Sequence, residues 1–115
     1  MKQGWKSEHE RQLQLQSEGW NVVRCSGSIG ALDLVAVKYV GDNTYNIFQV
    51  RYEQVKKTRG KTFYFNEESK DELRRLKEIT EKFNIPCFFV IKFTYKGWKI
   101  LNVKEIEGSP IKFEK

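Results

Sequence analysis

The sequence predicts one α/β domain over residues 1–115, a mixed central sheet of about five strands flanked by helices in the order α-β-β-β-α-β-β. Three observations carry that expectation. Helix-start signals stand at Ser7 with Glu10, and at Asn66 ahead of Glu67. Apolar runs elsewhere are set off by Gly, Asn or Pro, as strands are. One of them, Ala31-Leu-Asp-Leu-Val-Ala-Val37, is apolar on both faces, as a central strand covered on both sides should be. With 115 residues, 39% of them hydrophobic, and neither a repeat nor a low-complexity tract, the chain suffices for a single core.

In chain order, Met1 to Lys6 reads as a lead-in arm. The first helix starts at Ser7, carries Glu8 in the first turn, where the helix dipole favours an acid, and ends near Gly19. Trp20 to Cys25 predicts a strand, and Ser26-Gly-Ser-Ile-Gly30 a loop whose glycines allow close approach to a ligand. Ala31 to Val40 and Thr44 to Glu53 predict a hairpin turning at Gly41-Asp42-Asn43. Gln54 to Thr62 holds Lys56, Lys57, Arg59 and Lys61 without an acid and predicts a mobile basic loop, either a solvated charge run or a grip on phosphates. Phe63-Tyr-Phe65 suits a short edge strand or an aromatic lid. A second helix follows over Glu67 to Phe83, with Leu73, Leu76, Ile79 and Phe83 on its apolar face and its outer charges in solvent. Asn84-Ile-Pro86 breaks it, Cys87 to Tyr95 and Trp98 to Val103 predict another hairpin, and the tail after Glu105 is poorly patterned.

Asp33 is the residue that asks for a function. An ionised carboxylate taken out of water costs several kcal/mol unless something compensates it, so an acid inside this run suggests a site. Gln49 and Arg51 lie two residues apart and share one strand face. A three-residue turn would set Asp33 opposite Arg51, with Gln49 diagonal to it, bringing together an acid, an amide and a cation. The balance of 21 Lys+Arg against 15 Asp+Glu gives +6, a modest attraction for a polyanion. Two cysteines without CxxC spacing, no signal-like start and no membrane-length apolar run read as a cytoplasmic protein with free thiols and no membrane partner.

These residues resemble a known pattern. Glu8, Arg24-Cys-Ser-Gly-Ser28, Asp33-Leu-Val-Ala36 and Gln49-Val-Arg51 follow the order helix Glu, R-S-x-G-S, D-L-V-A, E-V-K of the archaeal Holliday-junction resolvases, members of the restriction-endonuclease-like superfamily. The likeness continues through Ile85-Pro86 to Phe93 and Gly97-Trp98. It implies a restriction-endonuclease-like fold and metal-dependent hydrolysis of branched DNA, with Mg2+, or Mn2+ in its place, held by Asp33, Gln49 and Glu8. It further implies Ser28 and Arg51 in the catalytic set, Arg24 on DNA, and a homodimer facing a four-way junction. Lys56, Lys57, Arg59 and Lys61 join the DNA-binding set by position, since their run begins just beyond the site. An apolar edge of Phe88, Phe89, Phe93 or Trp98 is available for the dimer. Two departures stand out, Gln49 for the family's Glu and Arg51 for its Lys, although methyl-directed restriction enzymes of the superfamily have a motif resembling D...QxK. The readings left open are a junction endonuclease, active or weakened, a non-catalytic branched-DNA-binding paralogue, and a restriction or repair nuclease with another DNA substrate.

Overall fold

The computed structural model describes residues 3–25, 32–108 and 110–113. Helix α1 (Gln3–Ser17) leads to strands β1 (Asn21–Arg24), β2 (Leu34–Tyr39), β3 (Phe48–Thr58) and β4 (Thr62–Phe63). Helix α2 (Glu67–Phe83), β5 (Cys87–Phe93), β6 (Gly97–Asn102), a 3-10 turn (Val103–Glu105) and β7 (Ile111–Lys112) complete the chain. Five strands form a mixed sheet in the order β1-β2-β3-β5-β6, as expected, with β3 and β5 parallel and the other neighbours antiparallel. The short strands β4 and β7 pair separately. No helix among the described residues is long and apolar enough to cross a membrane.

Each helix buries one face against the sheet. From α2, Leu76 meets Cys87, Phe89, Ile91 and Phe93, and Phe63, Ile106 and Ile111 join that core. From α1, Leu15 meets Leu34, Ala36 and Val55 on the opposite face. The cap of α2 is the expected one: Asn66 Oδ1 accepts from the Ser69 amide at 2.8 Å while the Asn66 amide donates to Ser69 Oγ at 2.8 Å. Helix α1 differs. It starts at Gln3, so Ser7 is not its cap but part of a buried stripe, Ser7, Arg11, Leu15, with the four-residue spacing of a helix face. That stripe is two-thirds polar, so the helix carries no clean apolar pattern in its sequence.

Three further expectations are corrected, and the tail, for which the sequence offers no pattern, is given one. Gln54 to Thr58 is no mobile loop, because β3 runs on through it and pairs with Phe89 to Phe93 of β5. The tail is ordered by Ile106 and Ile111, which enter the core, and by the pairing of β7 with β4. Phe83 is exposed while Thr80 takes the buried place on α2. Phe89 and Phe93 are fully buried within the chain and offer nothing to a partner.

The β2–β3 connection sets the register. Asp42 Oδ1 accepts from the amides of Thr44 and Tyr45 (2.8 and 3.0 Å), an Asx turn, and the Val40 amide donates to the Ile47 carbonyl. The loop is therefore longer than a three-residue turn, and Leu34 pairs with Glu53, Ala36 with Arg51 and Lys38 with Gln49.

Candidate active site

Asp33 sits just before β2, level with Gln54 instead of Arg51, a displacement of three residues from the expected register. An odd displacement exchanges the faces of a strand. Arg51 and Gln49 consequently point with Leu34 and Ala36 toward the α1 side, and Gln49 is exposed opposite Lys38. The structure does not bring either of them to Asp33. On Asp33's face of β3 stand Gln54 and Lys56. Gln54 Nε2 and the Val55 amide both donate to Asp33 Oδ2, each at 2.9 Å.

Burial raises the Asp33 carboxyl to about pH 7 for half-ionisation, with Glu8 and Glu72 adding repulsion and the Val55 amide and Lys56 opposing the rise. Lys56 Nζ is 2.5 Å from Glu72 Oε1 of α2, an acid that the sequence alone assigns to solvent. Burial likewise raises the Glu72 carboxyl above the ordinary range, against the pull of Lys56. Glu8 reaches the site from α1 and accepts from Arg24 of β1 at 3.3 Å. Lys57, Arg59 and Lys61 are exposed. Ser28 lies outside the described residues.

A divalent cation fits this donor set. Gln54 directs its amide nitrogen to Asp33, while among the described residues its buried Oε1 has no hydrogen-bond partner. A carbonyl oxygen in want of a cation beside a half-buried carboxylate suits a hard ion that takes few protein ligands. Among the described residues no three His, Cys, Asp or Glu side chains converge on one point.

The reverse face of β3 carries a different charge group. Glu53, fully buried, accepts from Arg11 Nε and a terminal nitrogen of Arg11 at 2.8 and 3.0 Å, and its Oε2 is 2.8 Å from Arg51 Nε. The Arg51 guanidinium lies 3.8 Å from the Phe88 ring centre and 5.6 Å from that of Trp20, and burial lowers its pKa. Arg51 is thus a structural cation, paired with Glu53 of its own strand and packed on the rings of Phe88 and Trp20.

The whole-chain sequence matches the family model described as archaeal Holliday junction resolvase (Hjc) over residues 1–112. The chain belongs to the Hjc family. Its fold is similar to that of Archaeoglobus fulgidus Hjc, a Holliday junction resolvase from an archaeal hyperthermophile, with a TM-score of 0.72 over 96% of this chain and 84% of that one, at 19% identity. No curated protein matches the chain in sequence. Hjc-family resolvases are nucleases and generally use divalent metals.

Gln54-Val-Lys56 takes the place beside Asp33 that a three-residue turn would give to Gln49-Val-Arg51, but with the amide level with Asp33 and the cation further along the strand. A signal for it is present in the sequence: Q-V-K keeps the lysine, leaving one departure from E-V-K where Gln49-Val-Arg51 has two. Counting the hairpin from an assumed turn hides it.

Proposed function

We infer that this protein is a divalent-metal-dependent endonuclease that cleaves branched DNA, four-way junctions in preference to duplex, as a homodimer. The observation that supports the reading most is the Asp33 carboxylate held by Gln54 Nε2 and the Val55 amide, with Lys56 next along the same face. Asp33, Gln54 Oε1 and Glu8 would hold the cation. When bound, Mg2+ or Mn2+ supplies an activated water and offsets charge on the phosphoryl group under attack. The chain's own groups do the rest. Gln54 and the Val55 amide fix the Asp33 side chain, so its geometry needs no reorganisation at the moment of reaction. Lys56 places an ammonium beside the scissile phosphate, a compact charge of the kind Arg51 would not have supplied. Lys57, Arg59 and Lys61 contact flanking phosphates, which position the substrate without reading its sequence.

Labelled four-way junction, incubated with Mg2+, Mn2+ or chelator, tests this. Gln54→Ala and Lys56→Met should each lower cleavage by about 100-fold or more while junction binding persists, the scale seen when a preorganised transition-state contact is removed. Gln49→Ala should cleave as the natural chain does, since Gln49 is exposed on the other face. Equal losses at positions 49 and 54 would remove the site as drawn. Junction binding without cleavage by the natural chain, in any metal, would establish the binding-paralogue reading instead.

A further inference from the structure

Position 54 poses a problem of charge. Where the family pattern has a carboxylate, this chain has an amide, so the charges of Glu8, Asp33, Lys56 and the Arg24 paired with Glu8 cancel, where an acid at 54 would leave one negative charge. A doubly charged ion is held less firmly by such a site. Helix α2 brings in another acid. Glu72 projects from its second turn to Lys56, 2.5 Å away, with side-chain exposures of only 12% and 19% for the pair, and both Lys56 and Glu72 act electrostatically on Asp33. Resting on the metal-nuclease reading above, we propose that Glu72 supplies from α2 the negative charge missing at Gln54, and that it does so through Lys56, which it positions and neutralises beside Asp33. Glu72 is a positioning residue, not a metal ligand, in keeping with the absence of a three-acid cluster among the described residues.

The reason is local. An unpaired ammonium next to Asp33 and Gln54 would repel an incoming cation, and in a half-buried place water screens that repulsion poorly. Paired with Glu72, the same ammonium is nearly invisible to the metal yet stays within reach of a phosphate, whose arrival can draw it away. The pair also fixes Lys56 by a contact between β3 and α2, so it does not depend on a surface side chain finding its own place.

Calorimetric titration of the DNA-free protein with Mn2+ at pH 8, where Asp33 is ionised, tests this independently of turnover. Glu72→Gln should weaken Mn2+ binding about tenfold, the size of effect one unit charge exerts across a few Å of partly wet protein. Glu72→Asp, which keeps the charge, should recover most of that loss. Adding Gln54→Glu to Glu72→Gln should restore natural affinity, because the charge is put back at its family position. Lys56→Gln in the natural chain should tighten binding about tenfold, since Glu72 is then left uncompensated; this variant decides the matter even if Glu72→Gln fails to fold. Unchanged affinity in Glu72→Gln, or in Lys56→Gln, overturns the inference and makes the pair a plain contact between helix and sheet. Asp33→Asn separates the two levels: if it alone abolishes Mn2+ binding, the nuclease reading survives the failure of the Glu72 role, and if it leaves affinity intact, the metal site itself is wrong.

Discussion

Replacing Asp33 by Asn should stabilise the metal-free protein, and by an amount the structure sets. The Asp33 carboxyl rises from an ordinary 3.8 to about 7 on folding, chiefly because burial strips it of water. That displacement corresponds to about 4 kcal/mol between folded and unfolded chains at pH 8. The sign follows from the protons. Between about pH 4 and 7 the folded chain retains a proton the unfolded chain has released, so stability falls as pH rises; below about 4 the carboxyl is neutral in both states and nothing is lost, and above about 7 the penalty is constant. The asparagine of the variant keeps an acceptor for Gln54 Nε2 and the Val55 amide and sheds the charge. With relaxation and water screening about half the penalty, the gain at pH 8 is about 2 kcal/mol, and about 4 kcal/mol without them, so for a domain of this size the melting midpoint should rise by about 8–16 °C. Thermal melts of both proteins with chelator, from pH 4 to 8, give the difference curve: near zero at pH 4, growing to pH 7, flat beyond. Saturating Mn2+ should close the gap by stabilising only the natural chain. A variant less stable than the natural chain at pH 8, or a gap that ignores pH, would refute the reasoning.

The reverse face of β3 should behave in the opposite sense. Glu53→Gln leaves Arg11 and Arg51 without their shared anion and should cost about 3–5 kcal/mol in denaturant unfolding, whereas Arg11→Met, Glu53→Leu and Arg51→Met made together should be neutral or stabilising. Asn66→Ala removes the α2 cap and should cost about 1 kcal/mol by the same measurement. Exchanging Lys57, Arg59 and Lys61 for Ala should weaken junction and duplex binding alike and reduce the salt slope by about 0.9 for each phosphate no longer neutralised, read from binding isotherms between about 50 and 200 mM salt.

Much of the fold is legible in the sequence because its signals are local. Asn66 caps α2 where its position ahead of Glu67 predicts, Asn84-Ile-Pro86 ends that helix, and the apolar runs mark the strands of the five-stranded sheet. What is not legible depends on partners distant in sequence. Gln54 to Thr58 has the composition of a loop and becomes strand only because β5 pairs with it in parallel through α2. Ile106 and Ile111 look isolated in a polar tail and are buried by Leu76, Phe89 and their neighbours. Arg11 breaks the apolar stripe of α1 because it faces the buried carboxylate of Glu53, and Ser7, one turn before it, is buried on the same stripe.

The site shows the same division more sharply. Asp33 is identifiable from its own surroundings, an acid in an apolar run, and the structure surrounds it with Gln54, the Val55 amide, Lys56 and Glu8. Its partners on β3 are not, because they depend on the hairpin register, and the register is set by Asp42 folding back on Thr44 and Tyr45 in a loop whose length composition does not fix. Since side chains alternate along a strand, a three-residue error does more than shift the partners: it takes them from the wrong face. Strand β3 uses both faces for charge, Gln54 and Lys56 on one, Arg51 and Glu53 on the other. Gln49 and Arg51, the residues a short turn would select, thus belong to the face where Arg51 joins a group of similar chemistry and different purpose, buried and mutually neutralised. A buried ion pair and a metal site draw on the same residue types. What separates them here is charge balance. Glu53 is met by two guanidinium groups, even though Arg51 Nη2 has no hydrogen-bond partner among the described residues. Asp33 is met by a neutral amide, whose Oε1 is likewise unpartnered among them, and is held near neutrality by burial. Polar groups left wanting in this way are where a cation and a phosphate can bind.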